Sequence, residues 1–388
     1  MNRHKSINRA LLATAAAFGA ALTLGVAPAV AGTESSAWVQ LPLAPRGSLT
    51  NVTAVGTDTV FASTEFPCLP GESWLCGQTW KLNGTTWSQF KLPDKLSSGS
   101  PIAGTGANDV WFLGAGVISP ALAYHWDGTN LVDYSPGVTG YNVRAAAAVS
   151  PASAWSVGTS SSNNDYRTDQ AAVGRWNGTD WTITKLPAIT GKTTTLNAVS
   201  ASSENDVWAS GEQCKLSGSG DDRCQLYVVH WDGTGWSQVT VPDFSPRGIV
   251  SIKVISRGGE VFIGGRESDL NTHTQPDRMF TLHWDGTSWT KNYLPVTVSA
   301  DHMYSVLNGF AYRGSELFAG VSHTKNEGVV RWNGQAWEQY AGPLATTSTV
   351  TSLAGTVDGR LLVAGYGSDA SGAHDFFASL PAAAPSAK

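Results

Sequence analysis

The sequence predicts an all-β fold: a seven-bladed β-propeller with four antiparallel strands per blade, its last blade closed by an N-terminal strand. The first observation behind this is a recurring hairpin. "LYVVHWDGTGWSQVTVP" (226–242) is a β-branched and aromatic run, a tight Asp-Gly turn, and a second extended run ending in proline, which is the pattern of two antiparallel strands. It returns as "LAYHWDGTNLVDYSP", "VGRWNGTDWTITKLP", "LHWDGTSWTKNYLP", "VRWNGQAWEQYAGP" and, more loosely, "TWKLNGTTWSQFKLP". The turn glycines Gly84, Gly128, Gly178, Gly233, Gly286 and Gly334 are 44, 50, 55, 53 and 48 residues apart, a period that marks propeller blades.

The second observation is a strand pair upstream of each hairpin. In "TLNAVSASSENDVWASG" a strand at 196–200 leads through a polar turn to another at 206–209, which ends near Gly211. Seven such pairs precede only six outer hairpins, and "AHDFFASLP" ends the chain one strand short. The third observation supplies that strand. "SAWVQLPLAP" (36–45) carries a tryptophan, a hydrophobic residue and Leu-Pro, as the other outer strands do. Residues 38–43 are therefore expected beside the last strand, closing a ring over 38–381 and removing its free edge.

Taken in order, residues 1–31 have the pattern of a signal peptide: basic Arg3, Lys5 and Arg9, an apolar run from Ala10 to Val26, and the small-x-small site Ala29-Val30-Ala31. The propeller is then expected at 32–381 and a C-terminal tail at 382–388. Export makes the location extracellular. Loss of three basic residues leaves 22 Lys+Arg against 30 Asp+Glu, a net charge of −8. An acidic chain without a Lys/Arg block argues against nucleic acid or an anionic membrane as partner. No cofactor or metal is expected, and the chain is expected to be a monomer.

Four cysteines fall in two close pairs, Cys68 with Cys76 and Cys214 with Cys224. Proximity and an oxidising exterior favour these two disulfides, each contributing roughly 2.5 kcal/mol by loop closure. A zinc site is disfavoured, since the spacing is not CxxC and no histidine adjoins either pair.

Fourteen of the sixteen tryptophans occupy repeat positions: five open the turn, six lie on the outer strand and three on the second strand. They are expected between blades, each worth up to roughly 4–6 kcal/mol of burial. The residues before the turn tryptophans, His125, Arg175, His230, His283 and Arg331, suggest a metal row. Strand alternation instead places them one per blade as interface residues. Asn83-Gly84-Thr85 and Asn177-Gly178-Thr179 match a glycosylation acceptor, but each asparagine fills the turn position.

"EVFIGG" followed by "LHWDGTSWTKNYLP" resembles the Kelch-type, galactose-oxidase-like propellers, whose second strand ends in glycines before a hairpin with an aromatic-Asp pair and a tryptophan. Most copies here have one glycine where that family has two. The resemblance implies the fold. The copper site of galactose oxidase, with its cysteine-tyrosine crosslink, has no matching residues, so that activity is not implied.

In such a ring the connections between strands two and three, and between blades, share one face. They are long and irregular here, at 63–79, 159–171, 213–226, 266–279 and 321–327, and loop variation on a rigid scaffold points to binding. Trp74, inside the Cys68–Cys76 loop, fits no repeat position. With Tyr166 and Tyr304 it offers aromatic faces, and Glu72, Asp165, Arg167, Asp222, Arg223, Arg266 and Asp269 offer polar partners. The expected function is a secreted, non-catalytic propeller binding a glycan or protein on this face. The alternative is a carbohydrate-active enzyme at the channel mouth, with His273, His302, His323, His374, Asp301 and Asp369 as candidates. No catalytic motif links them.

Overall fold

The computed structural model describes residues 38–68, 75–114, 120–162, 165–215, 224–245, 247–268, 277–296, 306–322, 328–343, 347–369 and 372–383. Among these, 28 strands form seven four-stranded antiparallel sheets. Blades one to six are the consecutive segments 48–89, 102–133, 141–185, 192–238, 248–293 and 307–339. Blade seven combines Thr347–Gly355, Leu361–Asp369 and Gly372–Leu380 with Val39–Gln40, the N-terminal strand, as its outermost member. Val39 pairs with Ser379 and Gln40 with Ala378. The ring thus closes within a sheet, as the sequence predicts. No described helix is long and apolar enough to cross a membrane.

Each blade is sandwiched between two others, so its second strand is buried on both sides. Asp109–Gly114 is buried throughout, and such strands read as continuous apolar runs rather than alternating ones. The aromatic residue of the second strand wedges between the turn and outer-strand tryptophans of the next blade. Trp111 lies 4.9 Å from Trp176 and 5.2 Å from Trp181, ring centroid to centroid. Trp155 stands 5.4 Å from Trp231 and 5.6 Å from Trp236. Phe262 meets Trp332 and Trp337 in the same way, and Phe377 of blade seven meets Trp87 of blade one. Trp80, off the repeat positions, is buried in blade one with its Nε1 donating to Thr64 Oγ1 at 3.0 Å.

The histidines before the turn tryptophans are built into these interfaces. His125 and His230 hydrogen-bond to Asp109 and Asp206, both at 2.7 Å. His230 stacks on Trp208 and His283 on Phe262, with centroids 4.2 Å apart in both pairs. The turns follow one design. The Oδ1 of Asp232 accepts from the backbone N–H of Thr234 and Gly235 while Gly233 adopts φ +94°. Asn177 Oδ1 accepts from Thr179 and Asp180 in the same way, so its side-chain carbonyl is used in the turn.

The structure corrects the expected loop lengths. The 159–171 segment is largely paired strand: Ser153–Ser162 and Asp165–Trp176 run together as far as Ser162 opposite Asp165. Likewise Thr59–Pro67 pairs with Leu75–Asn83, and Asp206–Lys215 with Gln225–Trp231. These segments are Ser/Thr/Asn/Asp-rich and resemble loops by composition. Pairing nevertheless continues, because a hairpin satisfies its backbone groups whatever its side chains.

Candidate functional site

Strand direction puts the start of every first strand and the end of every second strand at the long-loop end of the channel. There the first strand slips register against the second, at Thr50, Arg144, Asn197, Asn308 and Thr351 and immediately before Lys253. A bulge adds one residue and re-aims its side chain. In blades three and four a second-strand glycine opposite the slip makes room for it. A Cβ on Gly158 would lie 1.9 Å from Asn142 O, and one on Gly211 2.0 Å from Thr195 O. In blade two the slip falls nearer the turn, between Gly104 and Gly106.

The bulge residues of five blades, with Lys253 in blade five, place polar groups on the first strands. Arg144 donates to Asn197 Oδ1 at 3.0 Å, and Asn197 Nδ2 lies 3.5 Å from Glu212 Oε1. Burial pushes the Glu212 carboxyl up to about 6, although the Arg144 charge pulls the other way. Burial also lowers the Lys253 ammonium. Asn308 Nδ2 donates to Val350 O at 2.6 Å, and Thr351 Oγ1 to Leu49 O at 2.7 Å, which ties blades six, seven and one together. Thr50, Asn308 and Thr351 line a cavity of about 530 Å3 with Ser48, Glu65, Phe66, Ser322 and Tyr366. The mouth therefore offers amide and hydroxyl groups, the basic side chains of Arg144 and Lys253, the carboxyls of Glu65 and Glu212, and two aromatic rings.

Glu212 also adjoins the Cys214–Cys224 disulfide. Both sulfurs are spent in that bond, so the trio is not a metal site while oxidised. Cys68 and Cys76 form the other expected disulfide.

Of the residues singled out in the sequence, Trp74, Glu72, Asp222, Arg223, Asp269 and Tyr304 lie outside the described residues, as do His273, His302, His323 and Asp301. Tyr166 and Asp369 are placed by backbone only, on strands of blades three and seven. Asp165 accepts the backbone N–H of Arg167, which is exposed on the same hairpin. Arg266 is largely buried, with its Nε 3.5 Å from Asp277. Beside it, buried Glu267 gathers Arg247, Arg278, Lys291 and the Tyr293 hydroxyl, a structural knot at the edge of blade five. His374 hydrogen-bonds to Gly372 O at 3.1 Å.

The bulge residues are absent from the sequence-based candidates, yet a signal for them exists. In "LTNV", "VRAA", "LNAV", "IKVI", "LNGF" and "VTSL" a polar residue follows the apolar opener of each inner strand. Among small apolar neighbours it reads as ordinary alternation until the register slip is known.

No protein-family model matches the chain, and no curated protein matches it in sequence. Solved structures match in fold. Acylaminoacyl peptidase of Pyrococcus horikoshii is 10% identical with a TM-score of 0.52, over 86% of this chain and 51% of that one. This chain therefore spans about half of that enzyme. The β-propeller domain of the Trilobed protease from Pyrococcus furiosus is 8% identical with a TM-score of 0.49, covering 85% of this chain and 94% of that one. A PL25 polysaccharide lyase, an ulvan lyase, is 11% identical with a TM-score of 0.49, covering 87% and 95%. At 10% identity the likeness to the peptidase shows the fold alone.

Proposed function

We propose that this is an exported, monomeric, non-catalytic propeller that binds a glycan at the channel mouth on its long-loop face. The observation that carries the reading is the bulge ring. Neutral amide and hydroxyl groups from several blades, with Phe66 and Tyr366 in the adjoining cavity, suit a polyhydroxylated ligand, which needs many directional hydrogen bonds and flat apolar faces. Export rests on the leader-like 1–31 and on two disulfides, the chemistry of an oxidising compartment. Kinship with Kelch-type propellers belongs to the same proposal and rests on the glycine-ended second strands.

One observation favours a second reading, a carbohydrate-active enzyme. A carboxyl lifted to about 6 suits a general acid near neutral pH, and Glu212 would fill that role. A glycan array with the purified chain, followed by an assay for new reducing or unsaturated ends on every glycan bound, separates the two. Binding without turnover supports the first reading. Turnover that Glu212→Gln abolishes supports the second.

A further inference from the structure

The second- and third-strand pairing repeats a charge pair in blades two, four, five and six, and blade three lacks it. Asp109 faces His125, Asp206 faces His230, and Glu316 faces Arg331 at 3.2 Å. Glu260 stands 3.4 Å from His283. In blade three the acidic position holds Ser153, opposite a strand that carries Arg175 in the cationic position. Arg175 has no carboxylate partner among the described residues. Its guanidinium instead lies 5.1 Å from the Trp155 ring and 5.2 Å from the Trp231 ring. Blade one also lacks the acid, having Thr59, but Lys81 there leaves no buried unpartnered nitrogen.

The break coincides with an open groove of about 500 Å3 between blades three and four, lined by Trp155, Arg175, Asn177, Lys185, Trp231 and Trp236 among others. Two of its buried donors, Arg175 Nε and Trp155 Nε1, have no hydrogen-bond partner. A buried donor without an acceptor is costly, and here two share one groove with an exposed Lys185. The corresponding groove between blades five and six is similar in size, about 490 Å3, but contains Glu260 and Glu316 with Arg331 paired. Of these two grooves, the first alone holds a cation without a carboxylate partner among the described residues.

We propose that the groove between blades three and four is a second binding site, for a carboxylate-bearing sugar of the uronate class. The carboxylate takes the position that an aspartate or glutamate side chain holds in blades two, four, five and six and accepts from Arg175 and Trp155. Indole rings of Trp231 and Trp236 meet the sugar's C–H faces, and Asn177 and Lys185 reach its hydroxyls. The aromatic and amide lining favours a sugar over an acidic peptide. This site uses none of the channel-mouth residues.

Calorimetric titration with a galacturonate oligomer, a neutral galactose oligomer of equal length, and hexaglutamate tests the assignment. The galacturonate oligomer is expected to bind, more weakly as salt rises, and to quench tryptophan fluorescence. Arg175→Gln removes the charge, and Ser153→Asp installs the acid found in blades two and four. Each should weaken that binding at least about tenfold, the loss of one charged hydrogen bond, and Ser153→Asp should also raise the melting temperature. Lys81→Gln, at the equivalent position of blade one, should leave it unchanged. The proposal fails if the galacturonate oligomer does not bind, if folded Ser153→Asp binds it as tightly as the wild type, or if the neutral oligomer binds equally well. It also fails if hexaglutamate binds more tightly, which would make the partner an acidic protein segment.

Discussion

The backbone N–H of Leu41 donates to the carbonyl of Phe377 at 2.7 Å, joining the two ends of the described chain in one sheet. Around this bond Trp38 Nε1 donates to Ala341 O and Trp87 Nε1 to Pro42 O. Ser352 of blade seven accepts from the backbone of Val52 in blade one. Deleting 38–45 removes the fourth strand of blade seven and exposes Gly372–Leu380 as an edge. The truncated chain should aggregate or lose roughly 3–5 kcal/mol, the cost of removing a large packed side chain. An unchanged melting temperature would contradict closure through this strand.

Gly211 sits where the bulge at Asn197 brings the first strand against the second. Gly211→Ala forces a methyl group to within 2.0 Å of Thr195 O, and backbone must move. Thermal stability should drop, and binding at the channel mouth should drop beyond what the lost stability explains, because Arg144, Asn197 and Glu212 are positioned there. Gly235→Ala, with open space around its Cβ position, is the control and should change neither.

Trp337 is the core counterpart. Its ring packs against Phe262 and its Nε1 donates to Thr281 at 2.8 Å. Trp337→Ala should cost about 3–5 kcal/mol, measured by urea unfolding, with binding lost only as the fold is lost. Full binding loss in a stably folded Trp337→Ala protein would move the site to the blade interface.

The ring was legible because its repeat rests on turn chemistry: Asp232 with Gly233, and Asn177 with Gly178, recur where a tight hairpin needs them. The missing strand was legible for the same reason, since Trp38 repeats the outer-strand tryptophan. Strand length was not. Thr159 to Ala171 is polar on both faces, so no hydrophobic alternation announces its pairing. Nor was the mouth. Arg144 and Asn197 become special only once the slip against Gly158 and Gly211 is known, and that slip is a relation between strands. The aromatic candidate Trp74 lies outside the described residues.

Titration gives a check on Glu212. Its folded pKa is raised, to about 6 from 4.5, so the folded state favours the protonated form. Its contribution to stability is therefore present below about 4.5 and lost as pH rises through about 6. Glu212→Gln should remove that part of the pH dependence, and its melting temperature relative to wild type should rise between pH 4.5 and 7. A constant difference across that range would contradict a buried, raised carboxyl.

Asp232 shifts in the opposite sense. Hydrogen bonds from the Thr234 hydroxyl and from the backbone of Thr234 and Gly235 hold it at about 2. Its stabilising effect is present above about 3.8 and lost as pH falls through about 2. Asp232→Asn should keep the turn, as Asn177 and Asn333 do, and Asp232→Ala should lower the melting temperature. Equal melting temperatures for the two variants at pH 7 would contradict the side-chain bond to the turn.

The most direct test of glycan binding at the channel mouth is calorimetric titration of the best array-selected glycan against wild type and against Arg144→Ala/Asn308→Ala, with melting temperatures recorded for both. Both residues come from bulges at the mouth, in blades three and six. Binding there predicts that the double variant keeps its melting temperature within a few degrees and loses at least about tenfold in affinity, a change of 1.4 kcal/mol or more. Equal affinity in the two proteins, or no glycan bound by the wild type, would contradict it.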